Sequence, residues 1–343
     1  MEYRLLGASG LEVSVLSFGT MTLGGEGRFA AMGNVQVDEA RRQVEISIDA
    51  GVNLFDTADI YSFGKSEEVL GRALGARRKE IVLATKVFAR ISSGTNMTGL
   101  SRRYIVEACE RSLSRLGTDY IDLYQAHNFD SLTPLDETLR AFDDLIRAGK
   151  VRYAGCSNYS GWQLMKALSI SDRLHIRRYI SQQINYSLLA RDAEHELVPA
   201  GLDQRIGIMA WSPLQFGLLS GKFRRGQPKP SESRLNSLDA PGAIDEERLY
   251  RIVDVLAEIS GQRGVSISQA ALNWVMRKPG VDTVIMGARN EQQLRDNLAA
   301  AGWALTDAEV ERLDDASAIP LPYPYWHQQK FAGDRNPAAK HVR

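Results

Sequence analysis

The sequence predicts a (β/α)8 TIM barrel, on three observations. Short apolar runs of strand type recur about every 30 residues, the repeat of a βαβ unit, and they do so eight times. A segment of helical periodicity separates each run from the next. The runs are continuously apolar rather than alternating, as strands are when both faces of the sheet are covered. Strict alternation implies parallel strands joined by right-handed crossovers, and eight such units in 343 residues match one closed barrel. A doubly wound open sheet is the rival, but GTMTLGGEG, after the first run, has its glycines at the wrong spacing for a dinucleotide fingerprint. Nothing divides the chain: one domain over 1–343, its barrel core at about 15–302, then a C-terminal helix and tail over 303–343.

The elements follow in order. Residues 3–6 and 11–14 alternate about Gly7-Ala8-Ser9-Gly10, a β-hairpin ahead of the barrel. The first barrel strand is 15–18. Ala40, Val44 and Ile48 then recur at helical spacing behind Asp38 and Glu39, acids that favour a helix N-terminus, and Gly51 ends the helix. Strand 52–55 runs into Asp56, and a helical pattern follows Gly64. Strand 81–85 precedes helix 101–116, closed by Gly117; strand 121–126 precedes helix 134–148, closed by Gly149. Strand 151–156, helix 161–168, strand 178–182, helix 194–202 and strand 206–211 come next. A Gly- and Pro-rich excursion, 212–242, leads to helices 245–260 and 266–278. Strand 281–286 and helices 291–301 and 307–316 complete the pattern.

Composition excludes several function classes. Lys plus Arg is 42 and Asp plus Glu is 42, so no net field favours nucleic acid or an anionic membrane. No apolar run reaches the roughly 20 residues of a membrane span, and MEYRLLGASG lacks the basic and apolar regions of a signal peptide. Cys109 and Cys156 are too few for a disulfide framework, which makes the cytoplasm the expected compartment. A metal-dependent hydrolase would need clustered ligands, and His175, His195, His327 and His341 lie away from the strand ends.

In such a barrel the active site lies at the C-terminal ends of the strands. The second barrel strand ends at Asp56, the third at Lys86 and the fourth at His127, while Tyr61 reaches in from the second loop. Taken singly, Lys86 could snorkel at a rim and His127 could be a core histidine. Adjacent strands lie about 4.8 Å apart, so the ends converge. A buried lysine without a partner would be driven neutral, and Asp56 is the partner one strand over. That pair is expected to lower the Tyr61 pKa from about 10 toward the working range, making Tyr61 a general acid and base.

This Asp, Tyr, Lys and His set resembles the catalytic tetrad of the aldo-keto reductase superfamily. GVNLFDTADIY is similar to the family's second-strand signature, ATKV supplies Lys86, and DLYQAHNFD supplies His127. GCSNYS, QQINYSLL and AWSPL are similar to its fifth, sixth and seventh strand segments. WSPL and the long loop after it resemble the long-chain bacterial members related to potassium-channel β-subunits. The resemblance implies NADPH, with NADH a second choice, lying across the barrel mouth without a Rossmann fold. It implies that Gly19, Thr20, Met21 and Asp56 border the nicotinamide ribose, that Ser157, Asn158 and Gln183 bond the carboxamide, and that Trp211 stacks on the ring. Ser212, Leu214, Gly217, Leu219, Gly221 and Lys222 would wrap the pyrophosphate. Gly287, Arg289, Gln293 and Asn297 would hold the adenosine end, with Arg289 on the 2′-phosphate. Gly287-Ala288 stands where many members have Lys-Ser, and Gln293 where many have Arg.

The implied reaction is reduction of a small-molecule aldehyde or ketone, with Tyr61 giving the proton, His127 holding the oxygen, and Lys86 and Asp56 tuning Tyr61. The alternative is a cofactor-binding regulatory module with slow chemistry. Loops 24–34, 90–100 and 128–133 would shape a roomy pocket. The aromatic, Pro-rich tail at Pro320-Leu321-Pro322-Tyr323-Pro324-Tyr325-Trp326 is expected to cover its opening. The sequence leaves oligomeric state open.

Overall fold

A computed structural model describes residues 1–228 and 245–335. Eight parallel strands close into a barrel: β3 (Leu16–Gly19), β4 (Leu54–Asp56), β5 (Val82–Val87), β6 (Ile121–Ala126), β7 (Val151–Ser157), β8 (Ser181–Asn185), β9 (Gly207–Trp211) and β10 (Val281–Met286). They neighbour one another in chain order, and β10 returns to pair with β3. The crossovers carry α1 (Val37–Asp49), α2 (Lys65–Leu74), α3 (Arg102–Leu116), α4 (Leu135–Arg147), α5 (Gly161–Leu174), α6 (Leu197–Gln204), α7 (Glu246–Arg263) and α8 (Ile267–Met276). After β10 come α9 (Glu291–Ala299), α10 (Asp307–Ala316) and α11 (Tyr325–Ala332). Part of the 212–242 excursion lies outside the described residues.

Local chemistry explains several boundaries. Ser101 caps α3 by accepting from the Tyr104 N–H, and Thr306 and Glu309 form a capping box on α10. Gly51, Gly117 and Gly149 follow their helices with positive φ, a conformation that costs glycine least.

Strand β8, the sixth of the barrel, corrects the expectation of 178–182. The ladder runs instead over Ser181–Asn185, because polar strand residues find partners there. Gln182 donates to the Leu197 carbonyl at 2.6 Å and Gln183 to Asp56 at 2.8 Å. A criterion of apolar runs favours Tyr179 and Ile180, just outside the strand. Helix α5 likewise continues to Leu174, and the predicted helix at 194–202 is a short 3-10 turn followed by α6.

Side-chain alternation divides the barrel interior into layers. Leu54, Val82, Ala84, Leu123 and Met209 fill its lower part. The hairpin of β1 (Tyr3–Leu5) and β2 (Glu12–Ser14) adds Leu6 and Val13, both fully buried among them, at about 2 kcal/mol apiece. Gly7 seals this end: its N–H donates to Asp282 at 2.9 Å, and a Cβ there would meet the Gly207 nitrogen at 2.6 Å. With the N-terminal end plugged by apolar groups, the opposite end is left for polar ones.

Candidate active site

Two positions further along the same strands, the inward residues carry polar groups. Leu54 is followed by Asp56, Ala84 by Lys86, Leu123 by Gln125, and Met209 by Trp211. Lys86 is fully buried and donates to Asp56 Oδ2 at 2.5 Å and to the Thr57 carbonyl at 2.8 Å. Tyr61 arrives from the loop after β4, its hydroxyl 3.4 Å from Lys86 Nζ. The second Asp56 oxygen accepts from Gln183 at 2.8 Å and Gln125 at 3.1 Å. Asp56 is thereby held on both sides. His127 follows β6, its ring centroid 5.9 Å from that of Tyr61 and edge-on to it. The structure thus brings Asp56, Tyr61, Lys86 and His127 to one rim.

The electrostatics agree with one expectation and correct another. Burial pushes the Lys86 ammonium down, but Asp56 and Tyr61 more than offset it, so Lys86 stays charged. Tyr61 does not show the lowered pKa expected of it. Burial of the phenol outweighs Lys86, Asp56 adds to the rise, and Tyr61 is held above its ordinary value. It is therefore a protonated phenol at neutral pH, the form a proton donor requires. Burial and then Lys86 push the His127 imidazole down to about 3, leaving it neutral. Its Nδ1 is buried without a hydrogen-bond partner.

Backbone strain concentrates at the same rim. Ser62 and Phe63 follow Tyr61 with φ of 48° and 54°, Asn158 follows β7 at 58°, and Ser212 follows β9 at 55°. Such left-handed residues cost on the order of 1 kcal/mol or more each and gather where a site must be held in one shape.

A cleft of about 1020 Å³ opens over these groups. Of the residues expected to contact a nicotinamide dinucleotide, Gly19, Thr20, Met21, Asp56, Ser157, Asn158, Gln183 and Trp211 line it near the rim. Ser212, Leu214, Gly217, Lys222, Gly287, Arg289, Gln293 and Asn297 line its continuation. Leu219 and Gly221 are not among the lining residues. Leu219 is fully buried in the outer core, and Gly221 is a left-handed turn against Ile267. The cleft fits such a group on its own terms: the Trp211 indole N–H is buried and unpartnered, and beside Gly217 a Cβ would meet open space.

The sequence reading missed several members. Gln125 lies two residues before His127, so strand periodicity would have placed it on the inner face. Ser266, Ser268 and Asp296 also line the cleft, and Asp296 accepts from Ser266 and Gln269. Asp59 is fully buried with both oxygens lacking a well-formed hydrogen bond, and burial, then Glu67, raise its pKa well above the usual carboxyl range. Among the described residues, Pro320 to Trp326 do not line the cleft they were expected to cover. Tyr325 of α11 stacks on His195 instead, and no described tail residue lines the opening. Among the described residues no cluster could hold a metal ion, and no helix is long and apolar enough to cross a membrane.

Comparison with known proteins shows the family of the chain. The aldo/keto reductase family matches residues 15–318. The chain is 39% identical over 326 residues to the uncharacterized oxidoreductase YrpG of Bacillus subtilis, covering 91% of this chain and 94% of that one. It is 38% identical over 310 residues to a probable voltage-gated potassium channel subunit beta of Arabidopsis thaliana, covering 88% and 91%. To the versiconal hemiacetal acetate reductase of Aspergillus parasiticus it is 33% identical over 342 residues, covering 92% and 96%. The chain belongs to the aldo/keto reductase family and is an NAD(P)H-dependent oxidoreductase.

Proposed function

We propose that the protein reduces an aldehyde or ketone to the alcohol, with NADPH as the preferred cofactor and Tyr61 as the proton donor. The observation that carries the reading is the buried Lys86 ammonium, 2.5 Å from Asp56 and 3.4 Å from the hydroxyl of Tyr61, two residues that line the cleft. The bound nicotinamide would supply the hydride that adds to the carbonyl carbon. As the C=O π electrons move to oxygen, Tyr61 Oη releases its proton there and water restores it. Lys86 stabilises the transient phenolate, Asp56 keeps Lys86 charged and in place, and Gln125 and Gln183 fix Asp56. Neutral His127 offers an N–H to the same oxygen, a donor aimed at developing negative charge. Ser157, Asn158 and Trp211 would orient the ring, and the 212–222 segment and 287–297 would bind the dinucleotide beyond it.

Tyr61→Phe tests the reading. It should bind NADPH, by fluorescence titration, within about threefold of wild type, while carbonyl reduction falls by a factor on the order of 10² or more. Undiminished turnover would end the assignment. The similarity to proteins named as potassium channel β subunits favours a second reading, a cofactor-binding module whose chemistry is slow. Tight NADPH binding with no loss of cofactor absorbance on adding 4-nitrobenzaldehyde would select it.

A further inference from the structure

The loop between β3 and α1 leaves the rim at Leu23 and returns at Val35, where the two residues form an isolated bridge. Its neck is held by Gly24 N–H to the Val35 carbonyl at 3.0 Å, Val35 N–H to the Thr22 carbonyl at 3.1 Å, and Gly25 N–H to Ser62 Oγ at 3.1 Å. Beyond the neck the tip is a 3-10 turn, Gly27–Ala31. On one side Phe29 is buried with its ring centroid 6.0 Å from those of both Tyr61 and Phe63, and Met32 packs with Ala58 and Ile60. On the other side Arg289 donates from Nη2 to the Ala31 carbonyl at 2.9 Å and from Nε to the Met32 carbonyl at 3.3 Å. Arg289 lies in the loop after β10, the strand paired with β3, and its own N–H donates to Gln293 at 3.0 Å.

A guanidinium carries five N–H donors in a rigid fork, so three remain for the cleft that Arg289 also lines. We propose that Arg289 is a positioning residue for the carbonyl pocket. It clamps the 27–32 tip against Tyr61 and so links the dinucleotide end of the cleft to the wall of the substrate end. This deepens the reductase reading and rests on it for the catalytic consequence. It differs from a residue that only reads a 2′-phosphate, because the clamp also acts when that phosphate is missing.

Two measurements on the full chain test it. The first needs no cofactor: tryptic cleavage after the exposed Arg28, which requires the buried Phe29 to open, is followed by mass spectrometry and expressed relative to cleavage after Arg42 in α1. In Arg289→Gln the ratio should rise roughly fivefold or more, because local opening governs such cleavage. Arg289→Lys, which keeps the charge but not the fork, should fall between. An unchanged ratio, including one in which both sites accelerate together through general destabilisation, overturns the proposal. The second uses NADH, which has no 2′-phosphate. The carbonyl KM of Arg289→Gln should rise several-fold while kcat changes less, and a KM that rises only with NADPH would return Arg289 to phosphate reading alone. A wild-type protein without reductase activity would defeat the functional reading while leaving the cleavage result to stand or fall separately.

Discussion

The buried pair of Asp56 and Lys86 makes a demand that can be measured as a thermodynamic cycle. Lys86 is fully buried and Asp56 is 2% exposed. At 2.5 Å and an effective dielectric near 20, their attraction is about 7 kcal/mol before desolvation is subtracted. Removing one partner typically costs about 3–5 kcal/mol, since the other charge is stranded. The stranded groups here are not bare: Asp56 would keep two amide donors and Lys86 would keep the Thr57 carbonyl. We therefore expect about 3 kcal/mol from Lys86→Met and a similar loss from Asp56→Asn. The double variant, with no charge left to strand, should lose only about 1–2 kcal/mol rather than about 6. Urea unfolding at pH 7 gives the four stabilities. Losses that add to within about 0.5 kcal/mol would mean that the two charges do not support one another, and the account of the rim would fail. Turnover should show no such recovery, because Tyr61 lacks its cation in both Lys86 variants.

Two further expectations concern pH. His127, pushed to about 3, should stay neutral through the working range; side-chain nitrogen NMR should show no imidazolium at pH 5, and one titrating near 6.5 would contradict its assigned state. Asp282, raised to about 6 by burial against the weaker opposing effects of Gly7 and Arg4, holds its proton more tightly folded than unfolded. It therefore favours folding below about pH 4 and loses that contribution as pH climbs to about 6. Asp282→Asn, which can still accept from Gly7, should stabilise the protein at pH 7 by about 1 kcal/mol, discounted for its partial exposure, and by nothing at pH 4. An equal deficit at both values would refute this.

Much of this was legible in the sequence because the barrel repeats one rule. Apolar runs, helical spacing and closing glycines located seven of the eight barrel strands, and the ends of three gave Asp56, Lys86 and His127. The strand displaced by three residues is the one whose side chains serve the site: the expected strand stopped at Gln182, and Gln183 shows as part of the ladder only once its Asp56 partner is known. Gln125 was hidden for a related reason, lying inside a run read as apolar although its amide meets a carboxylate from the second barrel strand. The shift of Tyr61 was misjudged because charge partners can be guessed from neighbouring strands, whereas its burial depends on packing against the cluster of Phe29, Met32, Ala58 and Ile60, the first two from an irregular loop.

That loop shows where pattern reading ends and tertiary chemistry begins. Strand periodicity fixes which groups face inward and leaves open how far water reaches them. The tetrad needs both: a charged lysine and a phenol that keeps its proton. Lys86 and Asp56 satisfy the first by lying opposite each other in adjacent strands. The second needs no burial at neutral pH; Phe29, packed against Tyr61 on a tip that Arg289 anchors behind, raises the phenol further and walls off one side of it. If the clamp opens, burial of Tyr61 falls, its pKa moves back toward 10, and the same four residues remain present in a less well-sealed pocket. A phenol returning toward 10 still holds its proton at neutral pH, so opening the clamp should be felt in the fit of the carbonyl and at the alkaline edge of the pH profile rather than in the protonation of Tyr61 at pH 7.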